Sequence, residues 1–109
     1  MHSTIDTRKA QLLARKAELS RRIAQIETEL DSHHAADWTE LATEREADEV
    51  LEGIGISAQA EVRMIDAALV RMEQGEYGAC TRCGADIAAA RLDLLPFTPF
   101  CQSCAASAG

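Results

Sequence analysis

Aromatic side chains are scarce in this sequence. Two phenylalanines, one tyrosine and one tryptophan make up 4% of its 109 residues, although 47% of the residues are hydrophobic. Alanine and leucine supply most of the apolar residues, a composition that suits long helices better than a compact aromatic core. Because a chain of this length buries a limited fraction of its surface, we expect a stabilising element besides the hydrophobic core.

Basic residues are also few. The chain has 11 lysines and arginines against 18 acidic residues, a net charge of −7, and only Lys9 and Lys16 are lysines. This balance, without any basic stripe, argues against phosphate-driven binding to nucleic acid, and we expect no sequence-specific contact with DNA. An acidic chain is better suited to a basic groove on a protein partner.

Long apolar runs are missing. Residues 1–20 contain no uninterrupted apolar stretch of the kind found in a signal peptide, and nowhere does the sequence approach a membrane-spanning run. We therefore expect a cytoplasmic protein that makes no contact with membranes. In that compartment cysteines stay reduced, which favours metal binding over disulfide bonds.

The apolar residues of the first third of the chain recur at intervals of seven, with a second row offset by three or four. The members are Ile5, Leu12, Leu19, Ile23, Ile26 and Leu30. This pattern is typical of a coiled-coil seam, in which Lys9 and Lys16 take two further positions. It predicts helix 1 over about residues 4–31, with Ser3 as its N-cap.

A second seam follows, with apolar or small residues at alternating steps of four and three. It consists of Leu51, Gly55, Ala58, Val62, Ile65, Leu69 and Met72. The pattern predicts helix 2 over about residues 39–74, ended by Gly75 as the C′ residue. Gly53 and Gly55 each cost about 1 kcal/mol relative to alanine in a helix interior, which indicates a local bend or a close helix contact.

Two seams joined by a polar tip at about residues 32–42 predict an antiparallel helical hairpin. The alternative is an ordinary helical bundle, which needs a third or fourth helix, for example from another chain. We expect a monomer of mostly α fold: a coiled-coil hairpin over residues 1–74 and a small zinc-finger module over residues 75–109. His33 and His34 are interpreted as solvated residues of the turn.

Four cysteines form two C-x-x-C pairs. Cys80 and Cys83 are separated from Cys101 and Cys104 by seventeen residues. Zinc favours four tetrahedral ligands and binds thiolates well, so the two pairs predict one structural Zn²⁺ ion. The alternative, a redox dithiol, is typical of a single pair. With all four positions taken by protein the ion has no open site for a substrate, and we expect no enzymatic activity.

The cysteine segment resembles the zinc finger of the DksA/TraR family of bacterial transcription regulators. The matching residues are Gly75, Tyr77, Gly78, Cys80, Cys83, Gly84, Ile87, Arg91, Leu92, Pro96, Cys101 and Cys104. The predicted hairpin fits the DksA-like branch, so the resemblance covers nearly the whole chain.

This resemblance implies direct binding to RNA polymerase. The hairpin of such regulators enters the secondary channel, where an acidic tip of pattern D-x-x-D-x-A modulates promoter open complexes. The matching residues here are Asp37, Trp38, Glu40 and Ala42, with Glu40 in place of the second aspartate. Without the family, the same stretch is interpreted as a capping box, in which Asp37 is the N-cap of helix 2 and Trp38 covers the hairpin end.

The resemblance also locates positions at which DksA-like regulators use basic residues to bind guanosine tetraphosphate. Here these positions hold Ser57, Met64 and Ala105, none of which carries a positive charge. We expect a weak response to this alarmone or none.

Other functional classes fit parts of the sequence. A transcript-cleavage cofactor would use the tip carboxylates to hold Mg²⁺ inside the polymerase. A zinc-dependent protein adaptor would dimerise through its helices and would not bind polymerase. Redox sensing through the zinc thiolates is compatible with regulation of transcription.

Overall fold

The computed structural model describes residues 2–31 and 38–108, with side chains at 4–31 and 45–107. Four helices follow one another along the chain. They are α1 (His2–Asp31), α2 (Trp38–Glu73), α3 (Ala89–Leu94) and α4 (Gln102–Ala108). Within these ranges the extended structure amounts to one isolated bridge, between Ala79 and Asp86. The predicted fold class, a mostly helical chain with a helical hairpin before a four-cysteine finger, is confirmed.

The chain divides into two compact units. One consists of Lys16–Val62, and the other joins Met1–Arg15 to Arg63–Gly109. This grouping is spatial: it assigns the first half of α1 and the end of α2 to the unit that contains the finger. The division into modules at residue 75 stays a prediction. Among the described helices, none is long and apolar enough to cross a lipid bilayer.

The seam predicted from the sequence packs the unit formed by residues 16–62. Leu19 and Ile26 of α1 are buried, as is Ala58 of α2. A Cβ atom built on Gly55 would lie 3.8 Å from Cγ2 of Ile26, an ordinary van der Waals distance, so α1 faces α2 at this glycine. The contact with α1 therefore does not require glycine at position 55, and a Cβ atom on Gly53 would meet no atom within 4 Å.

In the other unit the same seam continues, with Leu12, Ile65 and Ala68 fully buried. The periodicity of α2 identified Ile65 but not Ala68, which lies three residues further on. A small side chain at a second inward position allows the helices to pack closely. Within this unit Leu12 and Ile65 are therefore buried as the heptads predicted.

The start of α1 differs from the prediction in two respects. The helix begins at His2, so Ser3 lies inside it and is not the N-cap. Ile5, expected on the seam, is 47% exposed, whereas Arg8 is only 7% exposed. Arg8 is buried because its guanidinium group pairs with the carboxylate of Asp93, for which arginine is a better partner than an aliphatic residue.

The end of α2 is a Schellman motif. The Glu76 N–H donates to the Arg71 carbonyl over 2.8 Å, and the Gly75 N–H donates to the Met72 carbonyl over 3.3 Å. Gly75 has a φ of +74°, the left-handed conformation that glycine adopts without strain. Gly75 is the C′ residue, as predicted.

Candidate metal centre

The sulfur atoms of the four cysteines cluster at one point. Each of Cys80, Cys83, Cys101 and Cys104 offers an Sγ atom, and the four atoms lie within 4.8 Å of one another. The Sγ atoms of Cys83 and Cys101 are 3.8 Å apart. A tetrahedral zinc site with Zn–S bonds of about 2.3 Å separates its sulfur atoms by about 3.8 Å, so the cluster fits one zinc ion.

A tight turn presents the first two sulfur atoms. The Gly84 N–H donates to the Cys80 carbonyl over 2.9 Å, and the Cys80 N–H donates to the Ala85 carbonyl over 2.8 Å. Gly84 has a φ of +80°, so a side chain there would be strained. The sequence requirement for glycine after the first cysteine pair thus comes from backbone geometry.

Thr81 ties this turn to the chain that leads to the second pair. Its N–H donates to the Pro99 carbonyl over 2.8 Å, and its hydroxyl donates to the same oxygen over 3.2 Å. The Ala105 N–H donates to the Cys101 carbonyl over 2.9 Å within the turn that begins α4. These hydrogen bonds hold the two cysteine pairs near each other in addition to the metal ion.

The metal-free thiols differ in acidity. The backbone N–H of Cys101 is the main cause that lowers the pKa of Cys80 to about 6, and the Cys83 N–H adds to it. The pKa of Cys104 is raised to about 12, chiefly by its hydrogen bond with the Cys101 side chain. Zinc binds the thiolate form, so the hydrogen bonds that lower the pKa of Cys80 favour it as a ligand, and zinc binding releases the proton of Cys104.

A small apolar cluster underlies the ligands. Its buried members are Cys80, Ile87 and Leu92, and Tyr77 and Phe100 pack against it. Small zinc modules cannot bury a large core, so these few side chains and the metal together must stabilise the finger.

Besides the hydroxyls of Thr81 and Thr98, three side chains donate hydrogen bonds to the backbone carbonyls of residues 96–100, which precede the third cysteine. The Tyr77 hydroxyl donates to Pro96 over 2.8 Å. Arg71 donates to Phe97 over 3.2 Å, and Nε of Arg91 donates to Phe100 over 3.0 Å. Sequence reasoning gave none of these contacts, although Tyr77 and Arg91 are among the residues that carry the resemblance to the DksA/TraR finger.

A second relationship that sequence reasoning missed joins α1 to the finger. Nη1 of Arg8 lies 2.8 Å from Oδ1 of Asp93, across 85 residues of sequence. Neither residue belongs to a seam or to a motif. No local pattern predicts such a pair.

The predicted tip is only partly described. Asp37, like His33 and His34, lies outside the described residues. Trp38, Glu40 and Ala42 belong to α2 by their backbone, and their side chains lie outside the description. Their role at a polymerase-contacting tip therefore stays a prediction.

The acidic residues are concentrated in one unit. Residues 16–62 contain 12 of the 18 acidic residues but only 4 of the 11 basic ones, a formal charge of −8. The other 6 acidic and 7 basic residues give the finger-containing unit a charge of +1. The acidity of the chain thus belongs to the unit of residues 16–62.

A long helical hairpin followed by a four-thiolate structural zinc site defines the class of this protein. Comparison with known families assigns both parts. Residues 8–72 match the DnaK suppressor protein-like N-terminal domain, and residues 75–108 match the prokaryotic dksA/traR C4-type zinc finger. The chain belongs to the DksA/TraR family, whose members include transcription factors, and it binds one zinc ion through its finger.

Similar proteins occur in several bacteria. Transcription factor DksA2 from Pseudomonas aeruginosa has a similar structure, with a TM-score of 0.82 and 29% identity over 94% of this chain and 80% of that one. The DnaK suppressor protein from Agrobacterium tumefaciens C58 gives a TM-score of 0.67 and 42% identity over 94% and 92%. An uncharacterized protein of Aquifex aeolicus strain VF5 is 35% identical over 89% of this chain and 70% of its own length. These likenesses support a role as a transcription factor.

Proposed function

We propose that this protein is a cytoplasmic, non-enzymatic regulator that binds RNA polymerase directly and inserts the distal end of its hairpin into the secondary channel. The observation that carries the proposal is the segregation of charge, with −8 on residues 16–62 and +1 on the finger-containing unit. A carboxylate-rich end on a helical hairpin is suited to the electropositive surroundings of a metal-dependent catalytic centre.

The length of the helices supports this proposal. With 30 residues, α1 extends about 45 Å along its own axis, a length suited to insertion into a channel. A closed four-thiolate site supplies no open coordination position, so the zinc ion stabilises the finger and takes no part in chemistry. The regulatory chemistry then depends on the carboxylates of Asp37 and Glu40, whose charge alters the stability of promoter open complexes.

Competition binding tests the docking site. The zinc-loaded protein is titrated onto core RNA polymerase, and a known secondary-channel factor is then added. Displacement by the factor is the expected result. Binding that the factor does not compete with would move the site elsewhere on the polymerase, and an absence of binding at micromolar concentrations would refute the proposal.

Charge-neutral substitutions test the tip. Asp37→Asn should leave polymerase affinity within about twofold and abolish the effect on open-complex lifetime, because the amide keeps the shape and removes the charge. Asp6→Asn, an exposed position on α1 in the other unit, removes the same charge and is the matched control. If Asp37→Asn lost binding and regulation together, the carboxylate would have a docking or folding role.

We infer that the protein acts without strong help from guanosine tetraphosphate. Ser57 and Met64 are exposed on α2, and Ala105 is half-buried on α4, so the three positions offer no cation to a phosphate group. The alarmone is expected to change the regulation of a responsive promoter by less than about twofold at any concentration. Synergy as strong as that of a longer family member would refute this inference.

Two further measurements separate the other classes. Stalled elongation complexes should show no stimulated transcript cleavage. Stimulated cleavage would instead favour a cleavage cofactor, which holds Mg²⁺ at its tip. Sedimentation should give the mass of a monomer, because an intrachain hairpin already pairs the two seams. A dimer without polymerase affinity would favour the adaptor.

A further inference from the structure

We propose that the hairpin carries a second interaction surface, a groove that accepts an amphipathic helix of a partner protein with aliphatic residues on one face and basic residues beside them. The groove lies within the unit of residues 16–62 and measures about 250 Å³. Its lining from α1 is Ile23, Ile26, Glu27 and Leu30, and its lining from α2 is Glu52, Gly55, Ile56 and Gln59.

Gly55 opens this groove, and packing alone does not explain why it is a glycine. A Cβ atom at this position would lie 3.8 Å from Ile26, which is an ordinary van der Waals contact. Alanine would therefore fit, and it is a much better helix former than glycine. Glycine is therefore not needed to avoid a clash between the helices, and its missing side chain leaves free space between them. A glycine that weakens the helix while keeping a groove open indicates a use for the groove.

The groove has the composition of a helix-binding surface. Its apolar lining comes from isoleucine and leucine side chains of both helices, and Ile56 remains 64% exposed. Exposed aliphatic residues around a concave site are typical of surfaces that accept hydrophobic anchors. Enclosed small-molecule sites usually measure about 300–1,000 Å³, so this smaller, open groove is better suited to side chains inserted from a helix.

The charge around the groove identifies the partner chemistry. Among the described residues, the charged side chains in the lining are both acidic, Glu27 on α1 and Glu52 on α2. The surrounding unit carries a formal charge of −8. A helix that places lysine or arginine beside its aliphatic anchors would neutralise these carboxylates, whereas an acidic helix would be repelled. A second copy of this acidic unit is a poor occupant for the same reason.

A direct binding test uses a dye-labelled synthetic helix with leucine at i, i+3, i+4 and i+7 and lysine at flanking positions, titrated with the zinc-loaded full chain. Fluorescence anisotropy should report saturable binding that weakens with added salt. A peptide with the same leucines and glutamate in place of lysine should not bind. Equal binding of the two peptides, or no binding of the lysine peptide, would overturn the proposal.

Two matched pairs of variants locate the binding site. Ile56→Ser should weaken binding of the lysine peptide by roughly tenfold, whereas Val50→Ser should change it by less than about twofold. Both side chains are aliphatic and exposed on α2, at 64% and 62%, but only Ile56 lines the groove. Glu52→Lys should weaken binding more than Glu46→Lys, which reverses an exposed charge outside the lining. Equal effects within either pair would show that the peptide binds the acidic hairpin without using the groove.

A smaller change tests the role of Gly55 with the fold preserved. Gly55→Ala adds one methyl group to the groove, and Gly53→Ala adds the same group where no atom lies within 4 Å. Gly55→Ala should weaken peptide binding several-fold, and Gly53→Ala should leave it unchanged. If sedimentation instead showed a dimer that Ile56→Ser dissociates, the groove would be a self-association surface and the proposal would be wrong. None of these measurements depends on polymerase.

Discussion

Arg8 of α1 and Asp93 of α3 form an ion pair in which Nη1 and Oδ1 are 2.8 Å apart. The arginine side chain is only 8% exposed, whereas the carboxylate is 68% exposed. The pair therefore holds a buried cation against the surface of the finger, and it joins the start of the chain to the metal-binding module. Because water already solvates Asp93, the energy of this contact lies mainly in satisfying and packing the guanidinium group.

Arg8→Ala should lower the free energy of unfolding by about 1–2 kcal/mol, since it removes the packed arginine stem and a charge-assisted hydrogen bond. Urea denaturation of the zinc-loaded protein measures the change. The matched control is Arg22→Ala, which breaks an exposed i,i+4 pair with Glu18 of 3.5 Å and should cost less than about 0.5 kcal/mol. Equal costs for the two arginines would contradict the structural role of Arg8.

Tyr77 gives stability a dependence on alkaline pH. Burial is the main cause that raises the pKa of Tyr77 above its usual value of 10.0. Above pH 10 the tyrosine of the unfolded chain loses its proton first, so the folded state binds more protons and stability falls as the pH rises. Tyr77 is the only tyrosine, so absorbance follows its ionisation directly, and unfolding at a series of pH values follows the stability.

Tyr77→Phe is the control for this pH dependence. At neutral pH it should cost about 1 kcal/mol, because the hydroxyl no longer donates to the Pro96 carbonyl. At alkaline pH the difference between the two proteins should shrink as the wild-type tyrosine becomes harder to keep protonated. Parallel stability curves at every pH would show that Tyr77 does not titrate with unfolding.

Loss of one zinc ligand should unfold the finger. Native mass spectrometry is expected to show one zinc ion per chain in the wild type and none in Cys104→Ser, since structural zinc contributes on the order of 10–16 kcal/mol of apparent binding energy. Ser107→Ala removes an exposed hydroxyl from the same helix, one that donates to the Ser103 carbonyl over 3.0 Å. It should keep the zinc ion. A folded, zinc-free Cys104→Ser protein would refute the stabilising role of the metal.

Two glycine substitutions should have opposite effects on stability. Gly75→Ala forces an alanine into a φ of +74° at the end of α2 and should lower the free energy of unfolding by about 1 kcal/mol. Gly53→Ala lies in the exposed interior of the same helix, meets no neighbour within 4 Å, and should raise it by up to about 1 kcal/mol. Thermal denaturation checks the two signs. Stabilisation by Gly75→Ala would contradict the Schellman motif.

The error at Ile5 has a tertiary cause. The heptad rule placed Ile5 on the seam, but the helix packs at Arg8 because Asp93 lies there. A local sequence pattern describes which face of a helix is apolar. It does not report which residue from a distant segment will meet that face.

Periodicity and spacing determined the long helices and the ligand set of the metal site. Both depend on residues close in sequence: a seam repeats every turn or two, and each C-x-x-C turn presents its own two sulfur atoms. Gly75 and Gly84 were predictable for the same reason, since a single backbone conformation requires glycine.

Tertiary structure alone decided which polar groups meet. The pairing of Arg8 with Asp93 spans 85 residues, and Arg71 reaches the Phe97 carbonyl across 26. Such contacts depend on the fold as a whole, because the chain must close large loops before the partners are neighbours. The groove at Gly55 was not predictable either, because the sequence shows only a glycine in a helix. The space beside this glycine depends on how Ile26 of α1 packs against α2.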